Sequence, residues 1–221
     1  MLSTQDAILA RRSVRGFLPQ PVAEPLMRSI FELAQRAPSN CNTQPWVVHV
    51  ASGATVEVLR KRILAAAPER GQQVPDFPYS GRYEGVYRER QLDAAVKLYG
   101  AMGVTREDKA GRDAGFMRNY EFFGAPHVAF VYIPEGFGVR EAADCGMYAQ
   151  TLMLALSAHR LASCPQTALS FFPNILREVL GVDPAHKLLF GISFGHEDKT
   201  LPANTCRLGR EALGREIKFH G

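Results

Sequence analysis

The sequence predicts one domain that combines helices and strands. Its 221 residues are enough to bury a substantial core. Hydrophobic residues make up 46% and charged residues 22%, as in ordinary globular proteins, and no segment has a disordered composition. Amphipathic helical patterns alternate with three β-rich runs, at residues 46–51, 127–133 and 187–194. We therefore expect both kinds of element to share a single core.

Helical periodicity is the commonest pattern along the chain. The first helix starts at Ser3, where Asp6 three positions later resembles a capping box. Further helices are predicted over residues 25–36, 56–67, 85–102, 105–122, 140–161 and 174–180. The segment 140–161 is apolar on nearly every side, which predicts burial. It would pack either in the core of one chain or, in part, against the same helix of a second copy.

Residues 68–83 interrupt this pattern with three Pro and two Gly. Ordered loops of this length are usually functional or mobile, so we interpret the segment as a lid. Together with the helix that follows, it forms a lid or insert over about 68–102, within one domain that spans residues 1–221.

Charge and cysteine usage limit the partners and the compartment. The net charge of +4 is mild and the basic residues are dispersed, so we expect no nucleic-acid partner. We also expect no membrane association, because the chain has no bilayer-spanning apolar run and no signal-peptide pattern. The four Cys form neither a Cys-x-x-Cys pair nor a set with metal-ligand spacing. This predicts free thiols, no metal site and a cytoplasmic location.

Two polar stretches are the candidate binding segments. Residues 11–17 read Arg-Arg-Ser-Val-Arg-Gly-Phe, which places three guanidinium groups and a hydroxyl within five residues. Residues 36–46 read Arg-Ala-Pro-Ser-Asn-Cys-Asn-Thr-Gln-Pro-Trp, an Asn-rich loop between a predicted helix and a predicted strand. Short neutral donors and acceptors suit hydrogen bonding of a flat polar ligand better than acid–base catalysis. An ordinary capped turn would use the same residues, so the loop alone does not decide.

Several enzyme classes are excluded by spacing. The chain has no Gly-x-Gly-x-x-Gly, no Gly-rich loop ending in Lys-Ser or Lys-Thr, no His-Glu-x-x-His and no Gly-x-Ser-x-Gly. A dinucleotide-binding Rossmann fold, a P-loop, a zinc peptidase and a serine hydrolase are therefore poor interpretations.

The two polar stretches together resemble the nitroreductase family of FMN flavoproteins. Further matches extend the resemblance over nearly the whole chain. It implies an α+β fold in which a mainly antiparallel central sheet is flanked by helices. It also implies a homodimer in which the C-terminal arm is exchanged and extends over the partner subunit.

The resemblance also implies where FMN would bind. The basic stretch and Arg207 would hold the phosphate, although Arg207 alone would be interpreted as an ordinary surface cation. The Asn-rich loop would reach the flavin from the other subunit, and the turn at 165–167 would face the flavin N5 edge. The implied cofactor-binding residues are Arg11, Arg12, Ser13, Arg15, Pro38, Ser39, Asn40, Asn42, Pro165, Gln166, Thr167 and Arg207.

The implied activity is a ping-pong oxidoreduction carried by the cofactor, so no catalytic side chain is expected. NAD(P)H would pass a hydride to flavin N5 and leave, and a small-molecule acceptor such as a nitroaromatic or a quinone would then be reduced. Two alternatives remain open. The same fold could serve dehalogenation, desaturation or flavin fragmentation, or the chain could bind flavin without turnover.

Overall fold

A four-stranded antiparallel sheet forms the centre of the computed structural model, which describes residues 1–67 and 74–221. Its strands are β1 (Val47–Ser52), β2 (His127–Pro134), β3 (Ala162–Gln166) and β4 (His186–Gly195). They lie in the order β1-β2-β4-β3. The described ranges also contain helices α1 (Thr4–Ala10), α2 (Glu24–Ala34), α3 (Ala54–Ala66), α4 (Gly85–Ala101), α5 (Lys109–Met117), α6 (Val139–Ala158), α7 (Pro173–Leu180) and α8 (Leu213–Glu216). The predicted α+β class is confirmed.

Alternate residues of β2 point into two separate cores. Phe130 and Tyr132 pack on one face with apolar residues of α3 and α7. Val131 and Ile133 pack on the other face with residues of α2 and α6. Because successive side chains of a strand point to opposite faces, a strand covered on both sides is apolar throughout. This explains why the run His-Val-Ala-Phe-Val-Tyr-Ile shows no polar alternation.

Local end signals are in the predicted places for two helices. The hydroxyl of Ser3 accepts a hydrogen bond from the Asp6 N–H at 3.1 Å and caps α1. Gly181 ends α7 in the left-handed conformation, with φ 63°, which costs glycine little. At these two ends, neighbouring residues alone were therefore sufficient to predict where the helix begins or ends.

Two predicted elements were wrong. The turn expected at 165–167 begins inside a strand, since residues 162–166 form the edge strand β3, where Pro165 is tolerated. The helix expected over 105–122 begins after Asp108 and ends at Met117. Its true cap is Asp108, whose carboxylate accepts the Gly111 N–H at 2.8 Å.

Helix α6 is not buried all round. Its face towards the sheet is buried, but a stripe along the helix is exposed, including Met147 with 40% of its surface accessible. The exposed residues at helical spacing are Ala143, Gly146, Met147 and Gln150. The prediction of complete burial is wrong for this stripe, which consists of small or apolar side chains and one Gln.

The predicted lid is described only from residue 74 onwards, since residues 68–73 lie outside the described part of the chain. Residues 74–84 form neither helix nor strand, and helix α4 that follows has no fully buried residue. No helix among the described residues is long and apolar enough to cross a bilayer.

Buried His127 makes stability depend on pH. Its Nε2 accepts the Val22 N–H at 2.9 Å, so the neutral ring carries its proton on Nδ1, 2.6 Å from the Ser52 hydroxyl oxygen. Burial, and secondly the nearby His196, lower the pKa of His127. The unfolded chain then binds more protons than the folded chain just below the unfolded pKa of about 6.5. Stability is therefore full above that pH and falls as the pH is lowered towards the folded pKa.

We expect the melting temperature to fall between pH 6.5 and pH 5, and this slope to shrink in His127→Gln. The measurement is thermal unfolding by circular dichroism across this pH range. His220→Gln changes an exposed residue of the C-terminal tail and serves as the control. An equal slope in His127→Gln and the wild type would contradict the assignment.

Candidate functional site

The N-terminal basic stretch lies beside the edge strand β3, where Ser13 forms a parallel bridge with Ser163. Arg11, Ser13 and Arg15 lie around the buried thiol of Cys164. Burial raises the pKa of that thiol to about 11, while Arg15, the Ser13 hydroxyl and Arg11 act in the opposite direction. The structure thus brings three predicted residues of this stretch to one place.

Arg12 has a different partner from its neighbours in the basic stretch. Its guanidinium forms an ion pair with Glu197, and both side chains are largely buried. A guanidinium that already neutralises a carboxylate has little remaining capacity for a second anion. Arg12 therefore contributes to the local fold through this ion pair, although it lines the same cavity as Arg11.

Asn204 joins the C-terminal part of the chain to the basic stretch. This buried side chain accepts the Arg15 N–H at 2.7 Å and donates to the Gly16 carbonyl at 2.9 Å. Arg207, three residues further on, donates to the carbonyls of Asn204 and Cys206 at 2.7 and 3.0 Å. Predicted Arg207 is thus close to the basic stretch in the fold, but its guanidinium turns back to its own backbone.

Arg210 is the cation that approaches Arg11. Burial, and then the charge of Arg210, lower the pKa of the Arg11 guanidinium. Neither side chain has a carboxylate partner in the part of the chain that the structure describes. Two neighbouring guanidinium groups without a counter-ion suit a phosphate, which accepts several forked hydrogen bonds. Sequence reasoning missed Arg210, and its proximity in sequence to Arg207 was the only available signal.

The turn after β3 is held in place by the buried side chain of Gln166. Gln166 is buried, donates to the Asn119 carbonyl at 2.9 Å and accepts a hydrogen bond from the Ser193 hydroxyl. Its side chain is fully used, which leaves only its backbone for a ligand. Pro165 and Thr167, on either side, are exposed. The predicted turn is therefore a rigid segment with two outward-facing residues.

A cavity of about 270 Å³ opens beside Arg15. Most of its wall is apolar, with residues of α4 and α5 on one side, and Arg118 and Asn119 add polar groups. Apolar walls with a few polar groups are typical of small-molecule sites. This cavity adjoins the predicted cofactor-binding residues and was not foreseen from the sequence.

The Asn-rich loop is anchored on helix α6. The Asn40 N–H donates to the buried carboxylate of Asp144 at 3.1 Å. At the loop's end, the Trp46 indole donates to Gln35 Oε1 at 2.9 Å and stacks on Tyr148 with ring centroids 4.9 Å apart. Trp46 thus closes the loop at the point where β1 begins.

Backbone strain in the loop presents its side chains outwards. Cys41, Asn42 and Gln44 have positive φ angles of 49°, 56° and 47°. Such conformations cost non-glycine residues on the order of 1–3 kcal/mol each, so surrounding contacts must hold them. One contact is the Gln44 N–H, which donates to the Ser39 hydroxyl at 2.9 Å. Pro38, Asn40 and Asn42 of this loop are exposed.

Within one chain, the loop and the basic stretch lie at opposite ends of α6. Asp144 holds the loop near the start of the helix. Ser157, near its end, donates to the Ala7 carbonyl of α1 at 3.0 Å, and α1 leads into Arg11. Residue 157 follows residue 144 by thirteen positions, which correspond to about 20 Å of helix. A single chain therefore divides the predicted site into two halves.

Comparison with known proteins accounts for this combination of segments. Residues 8–196 match the family model described as Nitroreductase family. The chain belongs to the nitroreductase family. The resemblance carried by residues 11–17 and the Asn-rich loop is thereby confirmed.

Individual relatives within the nitroreductase family match almost the full chain. Nitroreductase NfnB of Mycolicibacterium smegmatis is 46% identical over 218 residues, 98% of this chain and 92% of that protein. The 4-nitrobenzoate reductase of Pseudomonas putida is 34% identical over 217 residues, 98% of this chain and 95% of that protein.

Experimental structures of the family share the fold. The FMN-dependent nitroreductase NfnB from Mycobacterium smegmatis, in complex with NADPH, has a TM-score of 0.94 at 44% identity, covering 98% of this chain and 97% of that chain. The FMN and NADPH-dependent NfnB from Sphigopyxis sp. strain HMH also has a TM-score of 0.94, at 36% identity, with 100% of both chains covered.

Proposed function

We propose that this chain is an FMN-dependent oxidoreductase that uses NAD(P)H to reduce nitroaromatic compounds, quinones or similar electron acceptors. The observation that carries the proposal is the position of Arg11, Ser13 and Arg15 on the edge strand of a nitroreductase-family fold, where Ser13 bridges to Ser163. Among the described residues, neither Arg11 nor Arg210, whose charge acts on Arg11, has a carboxylate partner. Relatives that match nearly the whole chain are named for nitroreduction, which supports this class of acceptor.

The residues present fit the phosphate of FMN. Arg11 and Arg210 supply guanidinium groups that have no carboxylate partner among the described residues, and Ser13 adds a hydroxyl donor beside Arg11. One guanidinium nitrogen of Arg210 donates to the carbonyls of Leu208 and Gly209, which leaves its other N–H groups for the phosphate. Arg207 lies three residues from Arg210 and would strengthen the local positive potential. Arg12, paired with Glu197, supports the segment from the other side. The net effect is an anion-binding site formed by two distant parts of the sequence.

The turn at 165–167 would orient the flavin ring. Because Gln166 is locked by its own hydrogen bonds, the backbone N–H of Thr167, which follows it, has a fixed direction. When bound, FMN accepts a hydride from NAD(P)H and delivers reducing equivalents to the acceptor, so no acid–base side chain is needed. The task of the chain is to bind the phosphate, hold the ring and admit the two substrates in turn.

A homodimer would complete this site. In a two-fold contact through the exposed stripe of α6, the start of one helix would lie beside the end of its partner. The loop held by Asp144 of one chain would then approach the basic stretch of the other chain. Pro38, Ser39, Asn40 and Asn42 would contribute their polar groups from that direction.

The C-terminal arm would add to the dimer. Residues 211–221 of this arm are all exposed and include three large apolar side chains, Leu213, Ile217 and Phe219. Such residues are normally covered by a partner when they occur together.

We also propose that residues 1–221 act as one domain in the cytoplasm, where the four free thiols would stay reduced.

The test is an absorbance spectrum of the purified protein. We expect bound FMN, bleaching of the yellow colour by NADPH under anaerobic conditions, and recovery of the colour when nitrofurazone is added. A protein that stays colourless after incubation with FMN would contradict the proposal. FMN that neither NADH nor NADPH bleaches would indicate a flavin-binding protein without turnover. Turnover with a halotyrosine and none with nitrofurazone would indicate a dehalogenase.

A further inference from the structure

Asp76 anchors the segment 74–84 to the sheet. Its Oδ2 accepts hydrogen bonds from Arg177 Nη2 at 2.6 Å and from the Leu188 N–H at 2.7 Å. The side chains of Arg177 and Asp76 are only 14% and 11% exposed. A carboxylate of a loop segment that is this buried and doubly bonded holds its backbone in one position.

The anchor uses an irregularity of the sheet. The register between β2 and β4 shifts beside Leu188, where Leu189 is the extra residue of a β-bulge. A bulge disrupts the ladder and leaves backbone groups to find other partners. Asp76 accepts the N–H of Leu188 at this point. The next residue, Phe77, packs against the same core as Leu189 and adds an apolar contact.

Arg177 is itself fixed. Its guanidinium also donates to the His186 carbonyl at 3.0 Å and to Asn174 Oδ1 at 3.2 Å. With three acceptors at fixed positions, the guanidinium has one orientation. The ion pair therefore joins helix α7, the start of β4 and the segment 74–84.

The middle of the segment 74–84 reaches the turn that follows β3. The ring of Tyr79 packs edge-on against Phe171, with centroids 5.6 Å apart. Phe171 ends the short helical turn Thr167–Phe171, which begins at one of the residues predicted to face the flavin. Burial, and then the neighbouring Tyr83, raise the pKa of Tyr79, so the two tyrosines lie together. Both rings remain about half exposed.

We propose that Asp76 and Arg177 are positioning residues for the electron acceptor. Their ion pair holds Tyr79 and Tyr83 beside the turn at 167–171, where the two rings form one wall of the acceptor site. Half-exposed tyrosine rings favour planar aromatic compounds, which stack on them or pack against their edges. This inference rests on the proposed function, because it uses the turn that is proposed to face the flavin.

The test compares Asp76→Asn with Glu178→Gln in the flavin-loaded protein. Glu178 is next to Arg177 on the same helix and forms an exposed ion pair with Arg62, so it controls for the loss of a charge. Two measurements are made on each variant. The first is the rate of trypsin cleavage after Arg82, an exposed residue of the segment, identified by mass spectrometry. The second is the KM and kcat for nitrofurazone.

We expect Asp76→Asn to speed cleavage after Arg82 and to raise the KM for nitrofurazone by about ten- to a hundredfold, with unchanged FMN content. Glu178→Gln should match the wild type in both measurements. Arg177→Lys keeps the charge and loses the forked donors, so intermediate effects are expected. This milder variant also serves if Asp76→Asn does not fold.

The proposal is overturned if Asp76→Asn and Arg177→Lys both match Glu178→Gln in cleavage rate and in KM. It is also overturned if cleavage is faster while KM is unchanged, because the segment would then have no role in acceptor binding. The cleavage assay needs no flavin chemistry. A wild-type protein without reducible FMN would therefore disprove the proposed function and still leave the anchoring by Asp76 measurable.

Discussion

Replacing Gly146 with Arg is expected to produce a monomer that does not retain FMN. Gly146 lies in the exposed stripe of α6, and a Cβ placed there meets no atom within 4 Å. A side chain is therefore tolerated within the chain, and glycine in a helix is less favourable than most residues. Any large effect must come from a second copy of the helix. Light scattering and the flavin absorbance of the purified variant measure the two expected losses.

Val58→Arg is the matched control for this variant. Val58 is an exposed apolar residue of another helix, α3, which packs on the opposite face of the sheet. This variant should remain a yellow dimer. A yellow dimer in the Gly146→Arg variant would show that the stripe is not the contact between subunits.

Replacing Arg11 with Ala is expected to weaken FMN binding by about 1.5–3 kcal/mol, the usual range for a lost charge-assisted hydrogen bond. This corresponds to roughly 10- to 150-fold in the dissociation constant. Arg11 is expected to have this effect because its guanidinium is partly buried near Arg210 and, among the residues that the structure describes, no carboxylate neutralises it. Titration of the apoprotein with FMN, followed by flavin fluorescence, gives the affinity.

Arg12→Ala separates this effect from a general loss of positive charge. Arg12 is adjacent in sequence but is paired with Glu197, so its removal should change FMN affinity less than removal of Arg11. Equal affinities for FMN in the wild type and Arg11→Ala would contradict the phosphate assignment.

Most helices and strands could be predicted from the sequence because their periodicity and end residues depend on neighbouring positions. Ser3 and Gly181 mark helix ends through contacts with residues a few positions away. The start of α5 was misplaced because Thr105 and Asp108 both suit a helix cap, and the wider fold decides between them. Strand β3 was missed because Ala-Ser-Cys-Pro-Gln has no β-branched run and becomes a strand by pairing with β4.

The sequence predicted the residues of the candidate site only where they form short motifs. Arg11, Ser13 and the Asn-rich loop could be recognised from neighbouring residues alone. The ion pair of Arg12 with Glu197 joins residues 185 positions apart, and no local pattern shows that this guanidinium is already used. Arg210 and Arg11 are likewise far apart in the sequence, so no local pattern shows that the charge of one acts on the other. Contacts between distant segments decide which candidate groups stay available for a ligand.

The placement of the Asn-rich loop and the basic stretch at opposite ends of α6 has a genetic consequence. In the proposed dimer, each pocket takes its loop from one subunit and its cations from the other. A hybrid that combines one subunit defective in the loop with one defective in the basic stretch would place both defects in one pocket. The other pocket would be intact, so two inactive alleles would complement each other.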